Sequence, residues 1–147
     1  MKTLLKTIAL AALAALPLTH MNAQTEKPSA DKAHKIVFEV TMEGPEQWTA
    51  VLNNVENVRA ALGPAAEVEI VAHGKGLGML VATDNTLADR MKKLADAGVV
   101  FAACENTMKK KHVTKDQLVP FAKTTDSGVA EVIRKQEAGW SYIKSGM

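Results

Sequence analysis

Short apolar segments rich in β-branched residues alternate with segments of helical periodicity along most of this chain. Lys35–Val40 has the composition of a buried strand, and apolar residues then recur at helical spacing from Trp48 until Gly63 ends the helix. Similar apolar runs predict strands at 68–72 and 99–103. This alternation predicts a three-layer α/β fold, in which a mainly parallel sheet carries helices on both faces.

The second half of the chain continues this alternation with shorter segments. Caps and apolar period together predict a helix capped by Asn85 or Thr86, a short helix capped by Thr114, a strand at 118–123, a helix capped by Ser127 and a final strand or docked tail at 140–143. Pro120 restricts the strand at 118–123 to a strand start or a sheet edge, because proline has no N–H to donate. The glycine-rich run at 74–78 fits no phosphate-binding pattern, so we interpret it as a flexible strand-to-helix loop.

The amino-terminal segment has the pattern of a secretory signal. Lys2 and Lys6 form a positive segment, and residues 8–16 form an unbroken apolar run that Pro17 ends. The run is too short for a hydrocarbon core of about 30 Å, so no permanent membrane anchor is expected; an uncleaved amphipathic anchor is the alternative. We predict a cleaved signal at 1–23, a flexible lead-in at 24–34 and one α/β domain at 35–147. The protein is then exported, and it is periplasmic if its source is Gram-negative.

Charge and cysteine content exclude several classes of function. The chain has 18 basic and 16 acidic residues, and loss of Lys2 and Lys6 leaves 16 of each. The mature protein then has no net charge, so a basic nucleic-acid-binding surface is not expected. Cys104 is the only cysteine, which excludes an internal disulfide. His73 and His112 are the only histidines of the predicted domain and lack metal-ligand spacing, so neither a metal site nor a cofactor is expected.

Polar residues follow the predicted strands at the edge where parallel sheets bind ligands. They are 41–43 (Thr-Met-Glu), 73–76 (His-Gly-Lys-Gly) and 104–107 (Cys-Glu-Asn-Thr). Cys104 is the candidate nucleophile, because a thiolate attacks sulfane sulfur and disulfides. A helix that begins at Glu105 would lower the pKa of this thiol through its free N–H groups, while the Glu105 charge would oppose that effect.

Each candidate residue also has a structural interpretation. Cys104 is a reactive thiol, a small buried core residue or a partner in an intermolecular disulfide. His73 either relays protons and orients a ligand, or is a hydrogen-bonded structural histidine. Asn106 and Thr107 either donate hydrogen bonds to a persulfide or bound anion, or cap a helix. Lys109 either holds an anionic sulfur donor or belongs to a solvated basic face.

The order and the amino-acid sequences of these segments resemble those of the DsrE/DsrF-like family, specifically its small exported members. The matching segments are 35–40, 48–57, 71–74, 98–107 and 127–140, of which Cys-Glu-Asn-Thr is the most specific part. The resemblance implies a three-layer α/β fold and assembly into trimers or hexamers. Cytoplasmic members of the family carry sulfur as a persulfide on a cysteine at the end of a central strand. Cys104 matches the position of that cysteine.

Two functions of different classes follow from these observations. The first is an exported sulfur-handling protein, a persulfide carrier or thiol relay in which Cys104 accepts sulfur; whether it is a sulfurtransferase-like enzyme stays open. Its expected partners are other copies of the chain and a small sulfur anion or a partner thiol protein. The alternative is a non-catalytic oligomeric module that binds a small anion or a partner protein. An exposed Cys104 beside a shared cleft favours the first function, and a fully buried Cys104 without a channel favours the second.

Overall fold

The computed structural model describes residues 33–145, where strands and helices alternate along the chain. The strands are β1 (Lys35–Val40), β2 (Glu67–Ala72), β3 (Val100–Cys104), β4 (Lys123–Thr125) and β5 (Ser141–Ser145). The helices are α1 (Pro45–Leu62), α2 (Ala88–Asp96), α3 (Glu105–Lys111) and α4 (Gly128–Glu137), with 3₁₀ helices at Gly74–Leu80 and Lys115–Gln117. The predicted signal at 1–23 and most of the lead-in at 24–34 lie outside the described residues.

The strands of the described segment form one parallel sheet in the order β4-β3-β2-β1-β5. Phe38, Ile70 and Phe101 belong to a large apolar core that the sheet forms with α1 and α2. On the opposite face, Val71 packs in a smaller core with Val132 of α4. Helices therefore cover both faces, and the predicted α/β class with a parallel sheet is confirmed. All strands point the same way, so the carboxyl ends of β1, β2 and β3 meet at one edge.

The apolar contact between α4 and the sheet is small, and an ion pair between charged side chains adds to it. Glu69 of β2 is buried, and its carboxylate lies 2.6 Å from the Lys135 ammonium. Desolvation by burial raises the pKa of Glu69, and Lys135 partly offsets that rise. The Lys135 ammonium also lies 4.2 Å from the centre of the Trp140 ring. Ser127 caps α4 as predicted, since its hydroxyl accepts from the Ala130 N–H at 3.4 Å.

The prediction of a strand at 118–123 is wrong, and β4 begins only at Lys123. Leu118 and Val119 are buried, but they cross the end of the 3₁₀ helix at Gly74–Leu80 instead of joining the sheet. The Val119 N–H donates to the Leu80 carbonyl at 2.9 Å. Pro120 follows directly and has no N–H for a strand ladder, so the apolar residues before it pack into the core as part of a loop.

Two further predictions about local structure need adjustment. Asn85 orders the turn before α2, where its side chain accepts from the Leu87 N–H at 3.1 Å, but the helix itself begins at Ala88. The glycine-rich run at 74–78 belongs to the 3₁₀ helix at Gly74–Leu80 and is not a loop.

The apolar end at 140–143 contributes to a strand, β5. No helix within residues 33–145 is long and apolar enough to cross a membrane.

Candidate functional site

Cys104 lies at the junction of β3 and α3, where its sulfur meets the first turns of two helices. The residue is 4% exposed. Burial raises the pKa of the Cys104 thiol, but hydrogen bonds from the Thr107 hydroxyl and from the N–H groups of Gly128, Thr107 and Asn106 outweigh burial, so the pKa falls below its ordinary value. The predicted effect of a helix beginning at Glu105 is present, and a donor from α4 adds to it.

The first turns of α3 and α4 are tied together beside this sulfur. The Asn106 N–H donates to the Asp126 carbonyl at 3.3 Å, just before the cap of α4. Asp126 also pairs with Arg134 at 2.8 Å, which fixes the segment that leads to Gly128. Glu105 faces other partners, since its carboxylate lies 3.4 Å from the Lys115 ammonium. The Lys115 charge therefore partly offsets the expected effect of the Glu105 charge, which is to raise the pKa of the Cys104 thiol.

Thr107 connects the ends of two strands through its hydroxyl group. The Gly74 N–H, just beyond β2, donates to the Thr107 oxygen at 3.1 Å. That bond uses a lone pair of the hydroxyl and leaves its hydrogen for the Cys104 sulfur. Gly74 has φ 58°, a left-handed conformation that glycine adopts at little cost, and the 3₁₀ helix begins at this residue.

His73 follows β2 and forms a hydrogen-bonded cluster with Glu39 and Tyr142. The His73 Nε2 atom lies 2.8 Å from one Glu39 oxygen, and the Tyr142 hydroxyl donates to the other. Desolvation raises the pKa of Glu39, but its hydrogen bonds with Tyr142 and His73 outweigh that rise, and the pKa falls below its ordinary value. Glu39 is therefore a carboxylate at neutral pH. The same hydrogen bond raises the pKa of Tyr142 to about 12, which keeps its hydroxyl protonated.

Gly128 joins this cluster to Cys104. Its N–H is one of the groups that lower the pKa of the Cys104 thiol. A β-carbon placed on Gly128 would lie 2.9 Å from the His73 β-carbon and 3.0 Å from its ring, so the α4 backbone packs directly on the imidazole. Only glycine permits this approach, and it brings His73 and Cys104 into contact with the same residue.

The structure thus brings four of the five predicted site residues to one edge of the sheet. Cys104, Asn106 and Thr107 share one cluster, and His73 adjoins it through Gly128. Lys109 lies elsewhere, on a groove of about 600 Å³ that Met108 and His112 also line. A role for Lys109 in holding an anionic donor stays a prediction. Among residues 33–145, no three His, Cys, Asp or Glu side chains are grouped so as to hold a metal ion.

Sequence reasoning missed Glu39, Tyr142 and Gly128. Glu39 carried a signal, because it is the one acidic residue of β1 and has apolar neighbours on both sides, Phe38 and Val40. A carboxylate in such a strand is stable only with polar partners. Tyr142 and Gly128 gave none, because their contacts join segments far apart in the chain.

Fold and site together define an α/β protein with a parallel sheet and a strand-end cysteine whose thiol has a lowered pKa. The model of the DsrE/DsrF-like family matches residues 35–145, and the chain belongs to this family, whose members are generally associated with sulfur relay. The comparison with curated proteins gives no match.

Two solved structures resemble the chain over its folded part. MTH1491 from Methanobacterium thermoautotrophicum, described as a protein of unknown function, is 29% identical and has a TM-score of 0.72. The YchN protein from E. coli is 10% identical with a TM-score of 0.64, and this similarity shows the fold alone. Each comparison covers 76% of this chain and 98% of the other.

Proposed function

We propose that this protein is an exported sulfur carrier in which Cys104 takes up sulfane sulfur as a persulfide and passes it to a partner thiol. The observation that carries the proposal is the position of Cys104, which is buried at the end of β3 and at the N-cap of α3, where neighbouring donor groups lower the pKa of its thiol. A cysteine in an apolar core would have a raised pKa. Donors that favour the thiolate instead supply the nucleophile of sulfur transfer. Export, to the periplasm in a Gram-negative source, rests on the sequence of residues 1–23.

The proposed transfer has two balanced steps. In the first step, the Cys104 thiolate attacks the outer sulfur of a donor R–S–SH, which forms Cys104–S–SH and releases R–S⁻ to take up a proton. In the second step, a partner thiolate attacks the outer sulfur of this persulfide and restores the Cys104 thiolate. Sulfane sulfur passes between thiols without net oxidation, so the chemistry uses no additional oxidant.

Burial of Cys104 favours a second function, the oligomeric binding module. At 4% exposure, the sulfur meets a donor only if the donor is small or the segment before α4 moves. In this alternative, the donors around Cys104 stabilise the fold, and the exposed surface binds a small anion or a partner protein. The two functions differ in whether the thiol of the folded protein reacts.

Sulfur uptake by the folded protein tests the proposal. The mature chain, incubated with polysulfide, is expected to gain about 32 Da per sulfur atom, and a reducing thiol should remove the gain. Cys104→Ser should abolish it, because the chain has no other thiol. Intact mass spectrometry measures both results. A wild-type mass that stays constant with several donors, and a thiol that is alkylated only after denaturation, would favour the binding module.

We propose further that the chain forms a homo-oligomer, a trimer or hexamer by family resemblance. Val129 and Ile133 lie one turn apart on α4 and are 53% and 50% exposed. Exposed apolar side chains on one helix face are typical of a surface that another subunit covers.

Light scattering at micromolar concentration should therefore give a mass above that of one subunit. The double variant Val129→Lys, Ile133→Lys should shift the protein toward the monomer, because burial of two charges in an interface is unfavourable. Leu62→Lys, at a 41% exposed apolar residue ending α1, serves as the control and should leave the mass unchanged. A monomeric wild type would exclude both the assembly and any site shared between subunits.

A further inference from the structure

Glu39, His73 and Tyr142 form a polar cluster that the sulfur-carrier chemistry described above does not yet use. They come from β1, the end of β2 and β5, and hydrogen bonds join them as Tyr142–Glu39–His73. His73 and Glu39 have side chains only 17% and 15% exposed. Burial of a carboxylate and an imidazole is unfavourable unless each is hydrogen-bonded, and the hydrogen bonds within the cluster meet that need. A purely structural role does not explain why the cluster lies beside the thiol.

The hydrogen bonds of the cluster select one form of the imidazole. Glu39 is a carboxylate and accepts at both oxygens, so His73 must donate to it from Nε2. Tyr142 stays protonated and donates to the other oxygen, which holds the carboxylate in place. Among residues 33–145, Glu39 is the hydrogen-bond partner of the imidazole, and Nδ1 is left to accept or release a proton.

We propose that Glu39 and Tyr142 are positioning residues of the Cys104 site, which hold His73 so that its imidazolium delivers a proton to the thiolate that leaves when Cys104 attacks a disulfide. The inference rests on the proposed function, in which Cys104 reacts as a nucleophile. The register of β2 and β3 provides the connection, because it pairs Ala72 with Ala103 and so places His73 beside Cys104 where the two strands end. The first turn of α4 packs against the His73 ring at Gly128.

The proton balance of this step is complete. The Cys104 thiolate attacks a donor R–S–S–R′, and the bond between the two donor sulfurs breaks. The new bond is Cys104–S–S–R, the leaving group is R′–S⁻, and His73, which takes a proton from solvent, gives that proton to form R′–SH. Glu39 stabilises the imidazolium while it carries the charge. A proton donor matters most when R′–S⁻ is strongly basic and hardly at all when it is weakly basic.

Leaving-group dependence separates this role from a structural one. Rates of Cys104 exchange are measured with hydroxyethyl disulfide, whose leaving thiolate is strongly basic, and with a nitrobenzoate disulfide, whose leaving thiolate is weakly basic. Glu39→Gln is expected to slow the first reaction about tenfold or more and the second hardly at all. Tyr142→Phe should act in the same direction but less strongly. Alkylation by iodoacetamide, which releases iodide and needs no proton, should be unchanged in both variants.

Glu43→Gln is the matched control, because Glu43 lies at the same sheet edge and pairs with the exposed Lys75 at 2.9 Å. It should react like the wild type with all three reagents. Equal slowing of both disulfides by Glu39→Gln, or no slowing of either, would overturn the inference. If Glu39→Gln slows only the first disulfide but the wild-type protein gains no sulfur from polysulfide, the result would contradict the proposed function and leave the inference standing.

Discussion

Gly76→Ala is expected to destabilise the folded protein by more than about 3 kcal/mol, because the new methyl group would overlap backbone atoms that cannot move aside. Gly76 is buried in the 3₁₀ helix that follows β2. A β-carbon there would lie 2.5 Å from the Val40 carbonyl carbon, 3.0 Å from the Thr41 nitrogen and closer still to the Val40 oxygen. Val40 belongs to β1, the strand between β2 and β5, so relief of the overlap would disturb the sheet itself.

Gly78→Ala is the matched control for this substitution, two residues along the same 3₁₀ helix. Its β-carbon would meet only the Trp48 ring, at 3.1 Å, and a side chain can shift by a few tenths of an ångström. We expect a loss smaller by several-fold, measured for both variants as the free energy of unfolding in urea. Equal losses at the two glycines would show that the close approach of Gly76 to β1 does not stabilise the fold.

The glycine-rich run shows why the site was harder to predict than the fold. From the sequence, 74–78 appeared to be a flexible loop, since glycine permits many conformations. In the structure, Gly76 is required for contact with β1, and Gly74 directs an N–H to Thr107. Both requirements come from segments distant in the chain, so no local pattern encodes them.

Hydrophobic period was enough for the fold because the strands and helices bury apolar residues in the order of the chain. It failed at 118–123, where buried Leu118 and Val119 have strand-like composition but pack across a helix end. Position in the α/β order located Cys104 and His73 at the edge of the sheet. The partners of His73 lie 34 residues before it in β1 and, through Glu39, near the carboxyl terminus in β5. Such pairs are specified by strand register, which only the structure gives.

The hydroxyl of Thr107 should control the reactivity of Cys104. Thr107→Val keeps the shape of the side chain but removes the hydroxyl that donates to the sulfur and accepts from the Gly74 N–H. A hydrogen bond to a charged group contributes about 1.5–3 kcal/mol, and one pKa unit corresponds to about 1.4 kcal/mol. The pKa of the Cys104 thiol should therefore rise by about one to two units, and the alkylation rate should reach its plateau at correspondingly higher pH.

The rate of iodoacetamide alkylation against pH measures this shift, because only the thiolate reacts. Below both pKa values, the variant should react about tenfold or more slowly than the wild type, whereas well above both the two rates should converge. Thr49→Val is the matched control, since Thr49 donates to the Pro45 carbonyl within α1, away from Cys104. Gly128→Ala should shift the profile in the same direction as Thr107→Val, because the new methyl group pushes the α4 N–H away from the sulfur. If the profile of Thr107→Val coincides with that of Thr49→Val, the donors around Cys104 do not stabilise its thiolate, and the nucleophile on which sulfur transfer depends is missing.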